Sequence, residues 1–285
     1  MKIKELPEDF VVKEVLELKI EEGSYYYYLV TKKNWNTLDV VKEISQRLHV
    51  KDVGYAGLKD RNAVTSQYIS VEKKIAFSLK DVDFEYLGKG KQRIFLGSLK
   101  GNEFILTLRD LDKKISPVKE VVNYFGEQRL SEKNAIIGKM LVKKQFKEAC
   151  KELELEVVQN DSVGALKRLG RDRLKFYVHG YQSELWNRIA EKNKKKVLPI
   201  IGYLTEGKEY DTLLKKEGIT KEDFILRNIP EIGVEGGERN RVVQVENFKT
   251  LSFEDDELHH RKKKQVISFY LEKGAYATTV LEALT

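Results

Sequence analysis

The sharpest chemical signal in this sequence is one acid set between two cations. Asp60 stands between Lys59 and Arg61 in the segment Gly54-Tyr55-Ala56-Gly57-Leu58-Lys59-Asp60-Arg61-Asn62-Ala63-Val64-Thr65. Two glycines allow a tight backbone path between flanking strands. Neighbouring cations favour the ionised carboxylate, the form that a nucleophile or base requires. Read alone, the block more often means a surface loop with a local ion pair, because short motifs misfire.

A second cluster is Asn123-Tyr124-Phe125-Gly126-Glu127-Gln128-Arg129. Aromatics beside an amide and an arginine suit a flipped base: a ring stacks on it while Asn reads its Watson–Crick edge. The competing reading is a helix C-terminus with its aromatics in a core. The basic runs Lys194-Lys195-Lys196 and Arg261-Lys262-Lys263-Lys264 could meet phosphates, or could be solvated faces.

Other chemistries lack their residues. Gly88, Gly90, Gly97 and Gly101 fit neither a P-loop nor a dinucleotide fingerprint, so no nucleotide cofactor, and no cofactor of any kind, is expected. Cys150 is the one cysteine, and His49, His179, His259 and His260 form no ligand pattern with it, so no metal is expected. No Ser-His-Asp or Cys-His arrangement stands out.

The elements that must position Asp60 are legible. Phe10 to Leu18 and Tyr25 to Val30 are rich in β-formers. Leu38, Val41, Ile44 and Leu48 recur at helical spacing, with Asn36 or Thr37 as cap and Asp39 in the first turn. Strands are expected near Val53 to Ala56 and from Val64 to Val71, so Asp60 falls on the loop joining them. Phe104, Leu106 and Leu108 alternate with Ile105, Thr107 and Arg109. Ser116-Pro117 reads as a helix start, with Val118, Val121 and Val122 facing the core and Gly126 as the stop. A later helix is expected around Tyr181, Leu185 and Ile189, a strand over Val266 to Leu271, and a helix after Gly274. Pro199, Pro230 and Gly236-Gly237 mark residues 192–249 as a different kind of sequence, and core-like patterning returns after them. That suggests an insertion rather than two domains in series.

The 285 residues are 41% hydrophobic, enough for one core and a smaller domain. A net charge of +7 favours a polyanionic partner. No apolar run approaches the ~20 residues that span a bilayer. The charged start, Met1-Lys2-Ile3-Lys4-Glu5, lacks a signal-peptide core. A soluble, cytoplasmic protein without membrane contact is expected.

Several blocks, in order, resemble the TruD family of tRNA pseudouridine synthases. They are Leu6-Pro7-Glu8-Asp9-Phe10-Val11-Val12, Asn36-Thr37, the Gly54 to Thr65 block with Gln67, and Leu96-Gly97-Ser98-Leu99-Lys100-Gly101-Asn102. Asn123 to Arg129 and Leu271-Glu272-Lys273-Gly274-Ala275-Tyr276-Ala277-Thr278 complete the set. The resemblance implies an α+β fold: a pseudouridine-synthase core with a mostly antiparallel sheet over residues 1–154 and 248–285, and a smaller inserted TRUD-type domain over 155–247. It implies Asp60 as catalytic residue. Phe125, with Asn123 beside it, would pack on the target uracil. Phe10, Tyr276 and Lys4 would bind substrate, with Lys4 near the carboxylate and Lys59, Arg61 and Arg129 in support. The implied partner is tRNA, the implied target uridine 13 in its D-stem region, and the expected state a monomer.

Such an isomerisation breaks a C–N glycosidic bond, turns the uracil and forms a C–C bond, with no net oxidation. The extruded uridine could meet the carboxylate at C1′, at C6, or as a proton acceptor; the residues do not choose. The alternative is a fold-retaining RNA-binding protein without catalysis. A glycosidase would need a second carboxylate, and none is singled out near Asp60.

Overall fold

A computed structural model describes residues 1–126 and 133–284. In chain order the first elements are β1 (Phe10–Val15), β2 (Tyr25–Lys33), α1 (Thr37–Leu48), β3 (Gly54–Tyr55), β4 (Val64–Val71), β5 (Val82–Gly90), β6 (Gly101–Leu111) and β7 (Glu120–Val122). Then come α2 (Asn134–Val142), α3 (Phe146–Glu152), α4 (Ser162–Lys167), α5 (Arg171–Lys192), β8 (Val197–Ile200), α6 (Asp211–Glu217), β9 (Gly237–Asn240) and β10 (Val242–Gln244). The chain closes with β11 (Glu246–Asp255), β12 (Lys263–Glu272) and α7 (Ala277–Ala283). Packing divides it into two units, Met1–Val121 with Gln244–Thr285, and Val122–Val243.

The first unit is built on a mixed, mostly antiparallel sheet in the order β11-β12-β6-β1-β4-β2-β5, with β3 hydrogen-bonded to β4. Among the described residues of this sheet only β1 and β4 run parallel, Val11 opposite Val64. A parallel pair cannot be joined by a hairpin, and the chain between them is spent on β2, α1 and β3. Alternation along β2 sends Tyr28 and Val30 into a core with Val40 and Ile44 of α1, while Tyr27 enters a second core with Ala56, Ile94 and Leu99. Asn36 caps α1, its side-chain oxygen accepting from Asp39 N at 2.8 Å. Leu38, expected on the buried face of α1, is exposed instead.

The second unit is centred on α5, whose Leu174, Val178, Tyr181, Leu185 and Trp186 are buried. Gly138 lets α2 approach it: a Cβ there would lie 2.0 Å from the Tyr177 carbonyl oxygen. Residues 122–154 pack with this second unit, which begins at Val122. The expected helix after Ser116-Pro117 does not form. Val121, Asn123 and Phe125 are buried in alternation along extended chain, and Lys119 O accepts from Val245 N at 2.8 Å. β-branched Val118, Val121 and Val122 suit that ladder better than a helix.

Gly54 shows how tightly the base of the Asp60 loop is built. A Cβ at this position would stand 2.3 Å from Ser70 Oγ and 2.5 Å from the Ile94 carbonyl oxygen. Gly54→Ala is expected to destabilise by about 1–3 kcal/mol through overpacking, read as a lowered urea midpoint.

Candidate active site

Strand β1 delivers an acid to the interior. Phe10, Val12 and Glu14 share its inward face, and Glu14 meets the ammonium of Lys59 at 2.6 Å with both side chains almost wholly out of solvent (0% and 7% exposed). The second Glu14 oxygen accepts from Tyr68 N at 3.1 Å. Lys59 thus points down into the fold and anchors the loop, rather than flanking Asp60. Gly57 leaves room for this pair, since a Cβ would lie 3.0 Å from Lys59 Nζ and 3.2 Å from Glu14 Oε2.

The rest of the loop is clasped by neutral groups. The Thr37 hydroxyl accepts from Lys59 N and donates to Gln67 Oε1, both at 2.8 Å. Gln67 Nε2 reaches the Gly57 carbonyl at 3.4 Å. Beneath the loop lies Lys32 of β2, donating to the carbonyls of Trp35 (2.5 Å), Asp60 (3.2 Å) and Lys59 (3.4 Å). Burial pushes its ammonium down to about pKa 8, with the Lys59 charge acting in the same direction and those of Asp60 and Asp39 against it. Arg61 turns outward to Asp39 at 2.6 Å.

Asp60 is left half exposed, with its carboxylate 3.6 Å from Lys4 Nζ. That same ammonium sits 4.0 Å from the centroid of the Phe10 ring, a cation held over an aromatic face. Phe10 is itself 5% exposed and packs edge-on against Phe104. Lys4 has φ +56°, an uncommon conformation for a residue with a side chain. The neighbouring chain imposes it. Lys2 and Arg109 exchange two main-chain hydrogen bonds of 2.9 Å, and Leu6 N donates to Asp9 at 2.9 Å. The buried Arg109 guanidinium grips Asp9 at 2.8 Å, Asp256 at 2.9 Å and Glu257 at 3.0 Å. These partners, Asp9 foremost, hold the guanidinium well above its ordinary value.

The structure therefore brings Asp60, Lys4 and Phe10 together, while Lys59 and Arg61 pair with other acids. Tyr276 is half-buried at the N-cap of α7, where its carbonyl accepts from the Thr279 hydroxyl at 2.7 Å. Asn123 and Phe125 lie in the second unit, 6% and 3% exposed. There the Arg239 guanidinium lies 4.0 Å from the Phe125 centroid and donates to Asn123 Oδ1 at 2.8 Å. The Phe125 ring also meets the edge of Trp186. Arg129 falls outside the described residues.

Lys32, Glu14, Thr37 and Gln67 were not singled out as site residues. A lysine and a glutamate on the apolar faces of β2 and β1 were the available signal for the first two. The basic runs are largely answered locally: Lys195 by Glu209, Lys262 by Asp112, Lys263 by Asp255 and Lys264 by Glu257. Among the described residues no group of His, Cys, Asp and Glu could hold a metal ion, and no helix is long and apolar enough to cross a membrane.

A family model described as tRNA pseudouridine synthase D (TruD) matches residues 1–156 and 191–284. The sequence is 30% identical to a tRNA pseudouridine synthase D of Aquifex aeolicus, over 100% of this chain and 98% of the relative. It is 29% identical to a probable tRNA pseudouridine synthase D 2 of Methanocaldococcus jannaschii, over 99% and 91%. These alignments run over 383 and 386 positions against a chain of 285, so the relatives carry segments that this chain lacks. The fold matches that of a Methanosarcina mazei protein solved by crystallography and described as a TruD, with TM-score 0.79 and 24% identity over 99% of this chain and 92% of that one.

Stripping the charge from Glu14 while keeping its shape leaves the Lys59 ammonium buried and unanswered. Glu14→Gln is expected to cost about 3–5 kcal/mol, seen as a fall in the free energy of urea unfolding.

Proposed function

The chain belongs to the TruD family of tRNA pseudouridine synthases and is an isomerase, and we propose that it converts uridine 13 of tRNA to pseudouridine with the Asp60 carboxylate as its catalytic group. The observation that carries this reading is the placement of Asp60. It is a half-exposed carboxylate on a loop locked from beneath, with the Lys4 ammonium 3.6 Å away and an aromatic ring under that ammonium. Such a group is fixed in position and open to a substrate.

The chemistry asks for an oxygen anion and no outside electrons. The carboxylate can attack C1′ or C6 of an extruded uridine, or accept a proton to start elimination; all three need the ionised oxygen that Lys4 faces. Lys4 steadies that charge and is placed to meet negative charge developing on substrate. Phe10 sets the position of Lys4 and is the first aromatic surface beneath the site. Tyr276, Asn123 and Phe125 are proposed as contacts to the base or its ribose, as the resemblance implies. A base that stacks on Phe125 must displace part of its present packing with Arg239 and Trp186. The net charge of +7 suits a tRNA partner.

The expected outcome for tRNA labelled with [5-³H]uridine is tritium release by the native protein and none above background with Asp60→Ala or Asp60→Asn, each folding normally because Asp60 is half exposed. Undiminished release by Asp60→Ala would remove Asp60 from the chemistry. Pseudouridine mapping of the treated tRNA is expected to show position 13; modification at another position alone would overturn that assignment.

A further inference from the structure

We propose that Lys32 is a positioning residue for this isomerisation: its buried ammonium gathers the carbonyl oxygens of Trp35, Lys59 and Asp60 and so fixes the peptide planes from which the Asp60 carboxylate projects. This rests on the reading of Asp60 as the catalytic group.

The geometry is that of a clasp. Lys32 is 1% exposed, and its three hydrogen-bond partners are main-chain carbonyls at 2.5, 3.2 and 3.4 Å. Trp35 belongs to the turn that leads from β2 into α1, whereas Lys59 and Asp60 belong to the catalytic loop, so one side chain ties the two segments together. An ammonium without a formal counter-ion is a costly occupant of an interior. A methionine would fill the same volume without that cost. What methionine cannot do is hold three carbonyls at once.

The charges that face Lys32 come from several elements. Asp60 and Lys59 approach from the loop and Asp39 from α1. Glu14 of β1 answers Lys59, and Arg61 answers Asp39. Desolvation outweighs the two acids and brings the loss of the Lys32 proton to about pH 8. As pH rises through that value the clasp loses its charge and one of its three N–H donors, and its hold on the loop weakens. Stability moves the other way. Between pH 8 and the ordinary lysine range the unfolded chain holds a proton that the folded chain has released, so this group makes folding more favourable as pH rises. From this group alone, activity lost in that window is not accompanied by lost stability, which the thermal midpoints check.

The test measures kcat and KM for tRNA from pH 6.5 to 9.5 in the native protein, Lys32→Met, Lys32→Arg and Asp60→Ala, with thermal midpoints recorded alongside. The expected result is a native kcat that falls above pH 8 while the midpoint does not. Lys32→Met is expected to lose roughly 100-fold in kcat with KM within about threefold, and to lose the alkaline fall. In Lys32→Arg, whose guanidinium stays charged, kcat should persist with the fall moved beyond pH 9.5. A Lys32→Met enzyme with native kcat, or with the alkaline fall intact, overturns the proposal while leaving Asp60 in place. An active Asp60→Ala overturns the underlying reading instead. Should Lys32→Met fail to fold, Lys32→Arg decides: an alkaline fall unchanged from the native one overturns the proposal.

Discussion

A buried ion pair fixes the loop that carries Asp60. Glu14 and Lys59 meet at 2.6 Å inside the first unit, and the loop between β3 and β4 can close only where that contact is satisfied. An unmatched charge in the interior costs several kcal/mol, so the pair leaves the loop one stable height above the sheet. Thr37 and Gln67 then set its lateral position, and Gly57 supplies the space that the pair occupies. Asp60 inherits its place from neighbours that point away from it. This explains how a half-exposed residue can be held steady through its main chain.

The opposite wall is built by a second buried charge. Arg109 pulls Asp9 inward, and Asp9 shapes the turn from Leu6. The same arginine pairs its main chain with Lys2. Between these two anchors Lys4 adopts its left-handed backbone and brings its ammonium to Phe10 and Asp60. Asp60 and Lys4 thus come from separate segments, each fixed by a salt bridge in which neither takes part.

Much of this was legible in the sequence. Runs of β-formers marked β1 and β2, period-two alternation marked β6 and β12, and helical spacing with a cap at Asn36 or Thr37 marked α1. The ordered blocks pointed to Asp60 and Lys4 together. Partners were harder to see, because a sequence displays neighbours along the chain. Lys59 and Arg61 looked like flanking cations, yet consecutive side chains in the loop diverge, and each found an acid elsewhere. Asn36-Thr37 and Gln67 stood out as blocks without a reason; the reason is the hydrogen bond between the two side chains of Thr37 and Gln67. The helix expected after Ser116-Pro117 failed because cap-like residues preceded a β-branched run that paired with a distant strand. Lys32 was overlooked because a lysine after a run of β-formers looks like the exposed end of a strand.

The Arg109 cluster also bears on synthesis of the chain at the ribosome. Asp9 emerges a hundred residues before Arg109, but Asp256 and Glu257 follow it by 147 and 148. Strand β12, which flanks β6, comes from the same late stretch. Until that stretch emerges, β6 is an uncovered edge and Arg109 lacks two of its three carboxylates. The early half of the site is then made but not braced. The turn that carries Lys4 is braced in full only when the last strand is laid down.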